Sequence, residues 1–281
     1  MPITKPSLPR FGSGQHKHTD TVEFLSPGVL ISYRARAAGG YPTPAMKLAI
    51  NQSAIQARNI VRIANDMIAK VVLLRRPESK LFRDTMARHM NLIAGDLGLA
   101  LLTNNEVDKP FSMSDVFTHD RRWVLEKLRQ MILSLSYHLN TGVYLIDMDT
   151  ALRTVQSGAT IALGTATVAD GYVYQRGSQT GVSGLLCGFR NGEIHIDFND
   201  FPNYSLNSCA RIIIHEAAHK FVGVGDTYYA KDGANYPPSL ENCINNNADS
   251  LAWTAVSLAT GAVRMSGVNN HDFNNCPGAA L

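Results

Sequence analysis

The stretch Ile212-Ile213-Ile214-His215-Glu216-Ala217-Ala218-His219-Lys220-Phe221 decides how this chain is read. It contains H-E-x-x-H, and on a helix residues four apart lie one turn above one another. His215 and His219 can therefore offer two imidazoles to one zinc ion, with Glu216 turned toward water beside it. Three isoleucines ahead of the pattern mark a buried helix, where two histidines and a glutamate are costly without a metal or hydrogen-bonding partners. The chain holds 9 His and seven Glu, so chance alone would produce this three-residue spacing on the order of once in a hundred such chains.

Around the motif, Ser205 or Asn207 can cap a helix running from Ser208 to Phe221, which Gly223 and Gly225 stop. Upstream, Ile194-His195-Ile196-Asp197-Phe198 and Val143-Tyr144-Leu145-Ile146 are short runs rich in β-branched and aromatic residues, and they predict strands. The segment between them is rich in Gly, Thr and Ser, with Tyr172 to Tyr174 suited to an edge strand. Helical periodicity runs from Ala45 until Pro77, again from Leu81 to Leu97, and from the Ser112/Ser114 cap region to about Leu139. A last helix is expected from Leu240 to about Thr260. Residues 1–45, punctuated by Pro and Gly, read as an extension carrying one strand, Val29 to Ser32. The fold class is α+β, mostly helical with a small antiparallel or mixed sheet. A domain of residues 46–281 follows the extension, its helical half at about 46–140 and its sheet and zinc-site half at about 141–281.

The 281 residues carry 26 Lys plus Arg against 23 Asp plus Glu, are 45% hydrophobic, and form no run of like charges. That composition supports a sizeable core and gives no case for a nucleic-acid partner. The uncharged stretch Thr154 to Ala169 is broken by Gly158 and Gly164 and is rich in Thr and Ser, so it is not expected to span a membrane. Cys187, Cys209, Cys243 and Cys276 show no C-x-x-C spacing; one or two bridges and reduced buried thiols both fit. The first residues have basic character but no apolar segment of the kind that a secretory signal needs. Gly181-Val182-Ser183-Gly184-Leu185 does not complete a G-x-S-x-G elbow, and no phosphate-binding glycine loop is found.

A catalytic zinc keeps three protein ligands and one open position, so a third ligand is required downstream. The metzincin continuation is absent, because Val222 and Gly225 stand where its Gly and third His would be. Two acids are candidates by position: Asp226, after the turn Gly223-Val224-Gly225, and Glu241, at a separation like that of thermolysin-like enzymes.

The run Gly223-Val224-Gly225-Asp226-Thr227-Tyr228-Tyr229-Ala230 resembles the G-T-x-D-x-x-Y-G element that follows H-E-x-x-H in the aspzincins, the deuterolysin and peptidyl-Lys metalloendopeptidase family. Asn247-Ala248-Asp249-Ser250 resembles the N-A-D motif on the next helix of that family, including its bacterial lysine-specific metallo-endopeptidase domains. The likeness spans about residues 190–260, and Val224 and Ala230 depart from the pattern at positions that hold neither a ligand nor a proton-transferring group. The resemblance implies a zincin-like fold and a zinc endopeptidase acting on protein or peptide substrates. It makes His215, His219 and Asp226 the metal ligands, Glu216 the general base and then acid, and Tyr229 the donor to the oxyanion of the tetrahedral intermediate. Asp249 corresponds to the acid lining the pocket for a substrate lysine, although Ala252 replaces the second acid found one turn on in the lysine-specific members; a buried structural carboxylate bonded to the zinc-site loop is the equal alternative for it.

Two further functions use the same residues: a zinc-holding interaction protein without turnover, and a zinc amidase acting on cell-wall peptides. Secretion is implied by the resemblance. Without a signal-peptide pattern, the expected route is delivery as an effector, with an inhibitory or immunity partner in the producing cell. Of the other histidines, His16 and His18 are read as lying in a flexible basic stretch, His271 in a polar C-terminal segment, His89, His119 and His138 on or beside polar helix faces, and His195 on a strand. That strand, Ile194 to Asn199, directly precedes the motif helix and is a candidate for the edge along which zincins bind extended substrate.

Overall fold

In the computed structural model, the residues described are 21–33, 38–73, 79–92, 121–147, 171–172, 193–226, 228–230, 235–245, 247–266 and 273–275. Strands β1 (Thr21–Ser26) and β2 (Val29–Tyr33) open the fold, followed by helices α1 (Pro44–Val72), α2 (Lys80–Met90) and α3 (Arg121–Thr141). Strands β3 (Val143–Asp147), β4 (Gly171–Tyr172) and β5 (Glu193–Ile196) then lead to α4 (Leu206–Ala217). Helices α5 (Leu240–Asn245) and α6 (Ala248–Thr260) and a two-stranded ribbon of β6 (Arg264–Ser266) and β7 (Phe273–Asn275) complete the order. The mostly helical α+β class expected from the sequence is the one observed.

The main sheet runs β1-β2-β3-β5-β4 and is mixed: β2, β3 and β5 are parallel, while β1 and β4 are antiparallel to their neighbours. One strand was expected in the first 45 residues, and there are two, both belonging to this sheet. Pro27-Gly28 turns the hairpin, and Gly28 is required there: its φ is +75°, and a Cβ would lie 2.6 Å from the Arg58 guanidinium. Arg58 in turn donates from Nη1 to the Pro27 carbonyl at 3.1 Å and from Nε to the Leu139 carbonyl at 2.9 Å, pinning the hairpin turn and the end of α3 to α1.

Alternation along the strands sorts the two faces. Val29, Ile31, Val143, Leu145, Ile194 and Ile196 join the helices in one large core, while Leu30, Tyr144 and Ile146 form a separate small cluster on the other face. Helix α1 lies at the centre of the helical layer, packed against α3, α4 and α6. Its buried stripe, Ile50, Ala54, Ala57, Ile60, Val61, Ala64, Ile68 and Val71, follows the helical period and is narrow where the alanines fall. Thr43 caps it by accepting from the Met46 N–H, and Pro44 occupies the first turn, where its missing N–H costs nothing.

Helix boundaries differ from expectation where the chain makes its own stops. Asn91 takes the left-handed conformation at φ 54° and ends α2. The continuous helix expected from Leu240 to Thr260 is two helices, broken at Asn247, whose backbone is extended. The Ser112/Ser114 cap region, the Thr154 to Ala169 stretch, Gly181 to Leu185, Cys187, Cys276 and the histidines at 16, 18, 119 and 271 lie outside the described residues. Cys209 and Cys243 are buried, their Sγ atoms 3.4 Å from the Phe201 and Pro238 carbonyls respectively.

His89 corrects its polar-face reading. It is fully buried, with Nδ1 2.8 Å from Tyr236 Oη, Nε2 3.2 Å from Ser257 Oγ, and its ring stacked on Trp253. The strand expectation for Ile194 to Asn199 is corrected as well. β5 is paired on both sides, and among the described residues the outermost strand beside it is β4, which also contacts α4.

Candidate metal centre

Helix α4 starts at Ser205, whose Oγ accepts from the Ser208 N–H at 3.2 Å. From Ser208 onward it is buried on all sides, with Ile212, Ile213 and Ile214 in the core between α1 and α6. After Ala217 the hydrogen bonding widens into one π turn, Ala218–Val222, closed by the Gly223 N–H bonding to the Ala218 carbonyl at 3.0 Å. Such turns recur at functional sites because they displace a side chain from the α-helical register. Gly223, at φ 80° and ψ 24°, ends the helix and reverses the chain.

The reversal brings Asp226 back onto the helix. His215 Nε2 and His219 Nε2 are 3.1 Å apart, Asp226 Oδ1 is 3.2 Å from the first, and Asp226 Oδ2 is 3.1 Å from the second. Tetrahedral ligands on bonds of about 2.0–2.1 Å lie about 3.3 Å apart, so this triangle of two nitrogens and a carboxylate matches the spacing and the donor chemistry that zinc takes. Among the described residues these three form the cluster able to hold a metal. Glu241, the competing third ligand, falls on α5, and its side chain lies outside the described residues.

The outer ends of both imidazoles are held. His219 Nδ1 donates to the Val224 carbonyl at 2.7 Å, which leaves the lone pair of its Nε2 facing the site. His215 Nδ1 lies 3.4 Å from Asp249 Oδ1, a longer ionic contact. Asp249 is 1% exposed; its Oδ1 accepts from Arg211 Nη1 at 2.9 Å and its Oδ2 from the Ala230 N–H at 2.6 Å. Both oxygens are thus engaged inside the protein. Of the two readings of Asp249, this geometry fits the buried structural carboxylate bonded to the metal-site loop, since a carboxylate opposite Arg211 is neither accessible nor unneutralised.

Asn247 clamps the same loop. Its Oδ1 accepts from the Tyr228 N–H at 3.3 Å, its Nδ2 donates to Ser250 Oγ at 2.7 Å, and the neighbouring Ala248 N–H bonds to the Gly225 carbonyl at 2.9 Å. The helix break at Asn247 frees these groups from the helical ladder to fasten residues 225–230 over the site. Sequence reasoning singled out this motif but not this function for it.

Tyr229 Oη donates to Asp226 Oδ2 at 3.1 Å, and its ring stacks on His215 at 5.9 Å between centroids. Tyr228, equally exposed at 38%, enters the site's bonding through its backbone N–H. One side of the cluster stays open: the Asp226 side chain is 32% exposed and Tyr229 38%, against 7% and 6% for the two histidine side chains.

Electrostatics follow from these neighbours. Burial lowers the His215 pKa, but the carboxylates of Asp226 and Asp249 outweigh it and raise the value to about 10. Burial would raise Asp226, yet the two imidazoles hold it well below the usual carboxylate range. Glu216, itself 6% exposed, is raised mainly by burial, against the lowering influence of His215 and His219. The Tyr229 phenol is raised by burial and by the Asp226 charge, so it is a neutral donor at neutral pH.

No helix among the described residues is long and apolar enough to cross a membrane. Comparisons of the chain with protein-family models, with curated proteins and with solved structures return no match.

Proposed function

We propose that this protein is a zinc-dependent endopeptidase of aspzincin type on a zincin-like fold. The observation that carries the reading is the convergence of His215, His219 and Asp226 within 4.8 Å of one another, on a buried helix whose cluster is open on the Asp226 and Tyr229 side. A purely structural zinc site is closed by a fourth protein ligand, and among the described residues none joins these three. The open side therefore favours catalysis over a zinc-holding interaction protein.

When bound, zinc supplies Lewis acidity that lowers the pKa of water and polarises a carbonyl. The chain's own residues do the rest. Glu216, next to His215 on α4, takes the proton of the attacking water and returns it to the departing amine; its raised pKa suits both halves of that transfer. Tyr229, a neutral phenol at the open side, donates to Asp226 Oδ2 in the resting arrangement and would transfer that one hydrogen bond to the oxygen that gains charge as the carbonyl is attacked. The β4 edge, antiparallel to β5 and in contact with α4, offers main-chain groups for pairing with an extended peptide.

The test compares wild type with Glu216→Gln on a denatured protein, with zinc content measured in both. Zinc in both and cleavage by wild type alone is expected, with a loss of about 10²-fold or more in the variant. Equal cleavage by the two proteins refutes the assignment. Zinc in both with cleavage of cell-wall peptides alone would redirect it to an amidase using the same residues. In the same series Asp226→Ala is expected to lose the metal.

A further inference from the structure

We propose that Asp249 and Arg211 form a charge-neutral positioning pair for His215, and that the subsite beside the metal consequently carries no selectivity for lysine. The inference rests on the metal-site reading above and deepens it. Asp249 is one buried carboxylate that ties two parts of the chain together: it accepts from Arg211 on α4 and from the Ala230 N–H on the loop that carries Asp226, and its Oδ1 is 3.4 Å from Nδ1 of His215, also on α4. Arg211 is itself held, with its guanidinium 5.2 Å from the face of Trp253, a fully buried residue on α6. Helix, loop and carboxylate are thus cross-tied at one point, with Arg211 one helical turn before His215.

A ligand imidazole must present a bare nitrogen to the metal, and the hydrogen bond on its other nitrogen decides which one is bare. A carboxylate near Nδ1 accepts its proton and leaves Nε2 free, and Nε2 is the atom that faces His219 and Asp226. The Arg211 guanidinium cancels the charge that would otherwise attract a substrate cation. A lone acid in a pocket wall would draw a lysine ammonium; an acid ion-paired on one oxygen and bonded to a backbone N–H on the other has no such field to offer.

Asp249→Asn is the discriminating change, because it keeps the shape but offers one acceptor where three donors converge. Cobalt(II) is titrated into metal-free wild type and variant and followed by its visible absorption, with unfolding curves recorded for both. The expected result is a cooperatively folded variant whose cobalt affinity is 10- to 100-fold weaker, in the range found for outer partners of metal ligands. An affinity within about threefold of wild type overturns the proposal. Should the variant fail to fold, ¹⁵N-histidine spectra of zinc-loaded wild type decide: a protected, downfield Nδ1 proton on His215 supports the pair, and its absence overturns it. Cleavage sites of wild type give an independent reading, since cuts confined to lysine would also overturn the proposal. Wild type that binds cobalt but cuts nothing counts against the peptidase reading, while the affinity difference still decides this one.

Discussion

Replacing His89 by glutamine should remove a pH dependence that the buried ring imposes on stability. The imidazole is 0% exposed, lies between Tyr236 Oη and Ser257 Oγ, and stacks on Trp253. Burial first, and the nearby Arg88 charge second, lower its pKa from 6.5 to about 3, against a smaller raising influence from Asp249. Below pH 6.5 the unfolded chain takes up a proton that the folded chain refuses until about pH 3, so stability is complete above the unfolded value and is lost as pH falls. The loss is RT ln(1 + 10^(6.5 − pH)) while pH stays well above the folded value, which is about 0.1 kcal/mol at pH 7.5 and about 2 kcal/mol at pH 5. At pH 5 the result is insensitive to the folded pKa as long as that lies below about 4. Glutamine keeps a donor and an acceptor and does not titrate. Urea unfolding of chelator-treated wild type and His89→Gln at the two pH values isolates the effect, because every other titrating group is shared. The wild-type advantage should shrink by about 2 kcal/mol on going from pH 7.5 to 5. Parallel losses in the two proteins would show that the ring is protonated, or solvated, in the folded state, and would refute the argument.

Tyr229→Phe should keep metal affinity and lower turnover by about 10²-fold, the cost of one lost oxyanion donor, with kcat affected more than KM. Unchanged kcat would remove Tyr229 from the chemistry. Ser205→Ala deletes the acceptor for the Ser208 N–H at the start of α4 and should cost about 1 kcal/mol of unfolding free energy in urea titration. A loss well under half of that would mean that water replaces the cap.

The motif helix was legible because its signals are local: an N-cap serine, three isoleucines, the H-E-x-x-H spacing and a glycine stop all lie within 19 residues, 205–223. Strands β2, β3 and β5 were legible for the same reason, as short β-branched runs. What escaped was settled by partners distant in sequence. Thr21–Ser26 alternates too weakly to announce a strand and exists as one by pairing with β2. β5 looked like an edge candidate until β4 was found beside it, a contact that no local pattern encodes. His89 sits among Arg88, Arg83 and Asp84 in sequence, which suggests a wet face, whereas the partners that bury it come from residues 236, 253 and 257. Asp249 was legible as either a pocket acid or a buried carboxylate tied to the metal-site loop, and the partner that decides between them, Arg211, lies 38 residues away.

The parallel pairing of β2 with β3 has a consequence for how the chain is made. Tyr33 and Val143 bound the two strands, and the ribosome adds the intervening residues at about 5–20 per second, so the free side of the β1–β2 hairpin waits on the order of 5 to 20 seconds for its neighbour. In that interval β2 presents an unpaired backbone edge and three side chains destined for the main core, Val29, Ile31 and Tyr33. Helix α1 follows the hairpin immediately and packs in the same core, so it can cover the apolar face long before β3 emerges. Among the described residues made before β3, none but β1 pairs with β2, so its other edge leaves the nascent hairpin open to chaperones and to misassociation during synthesis.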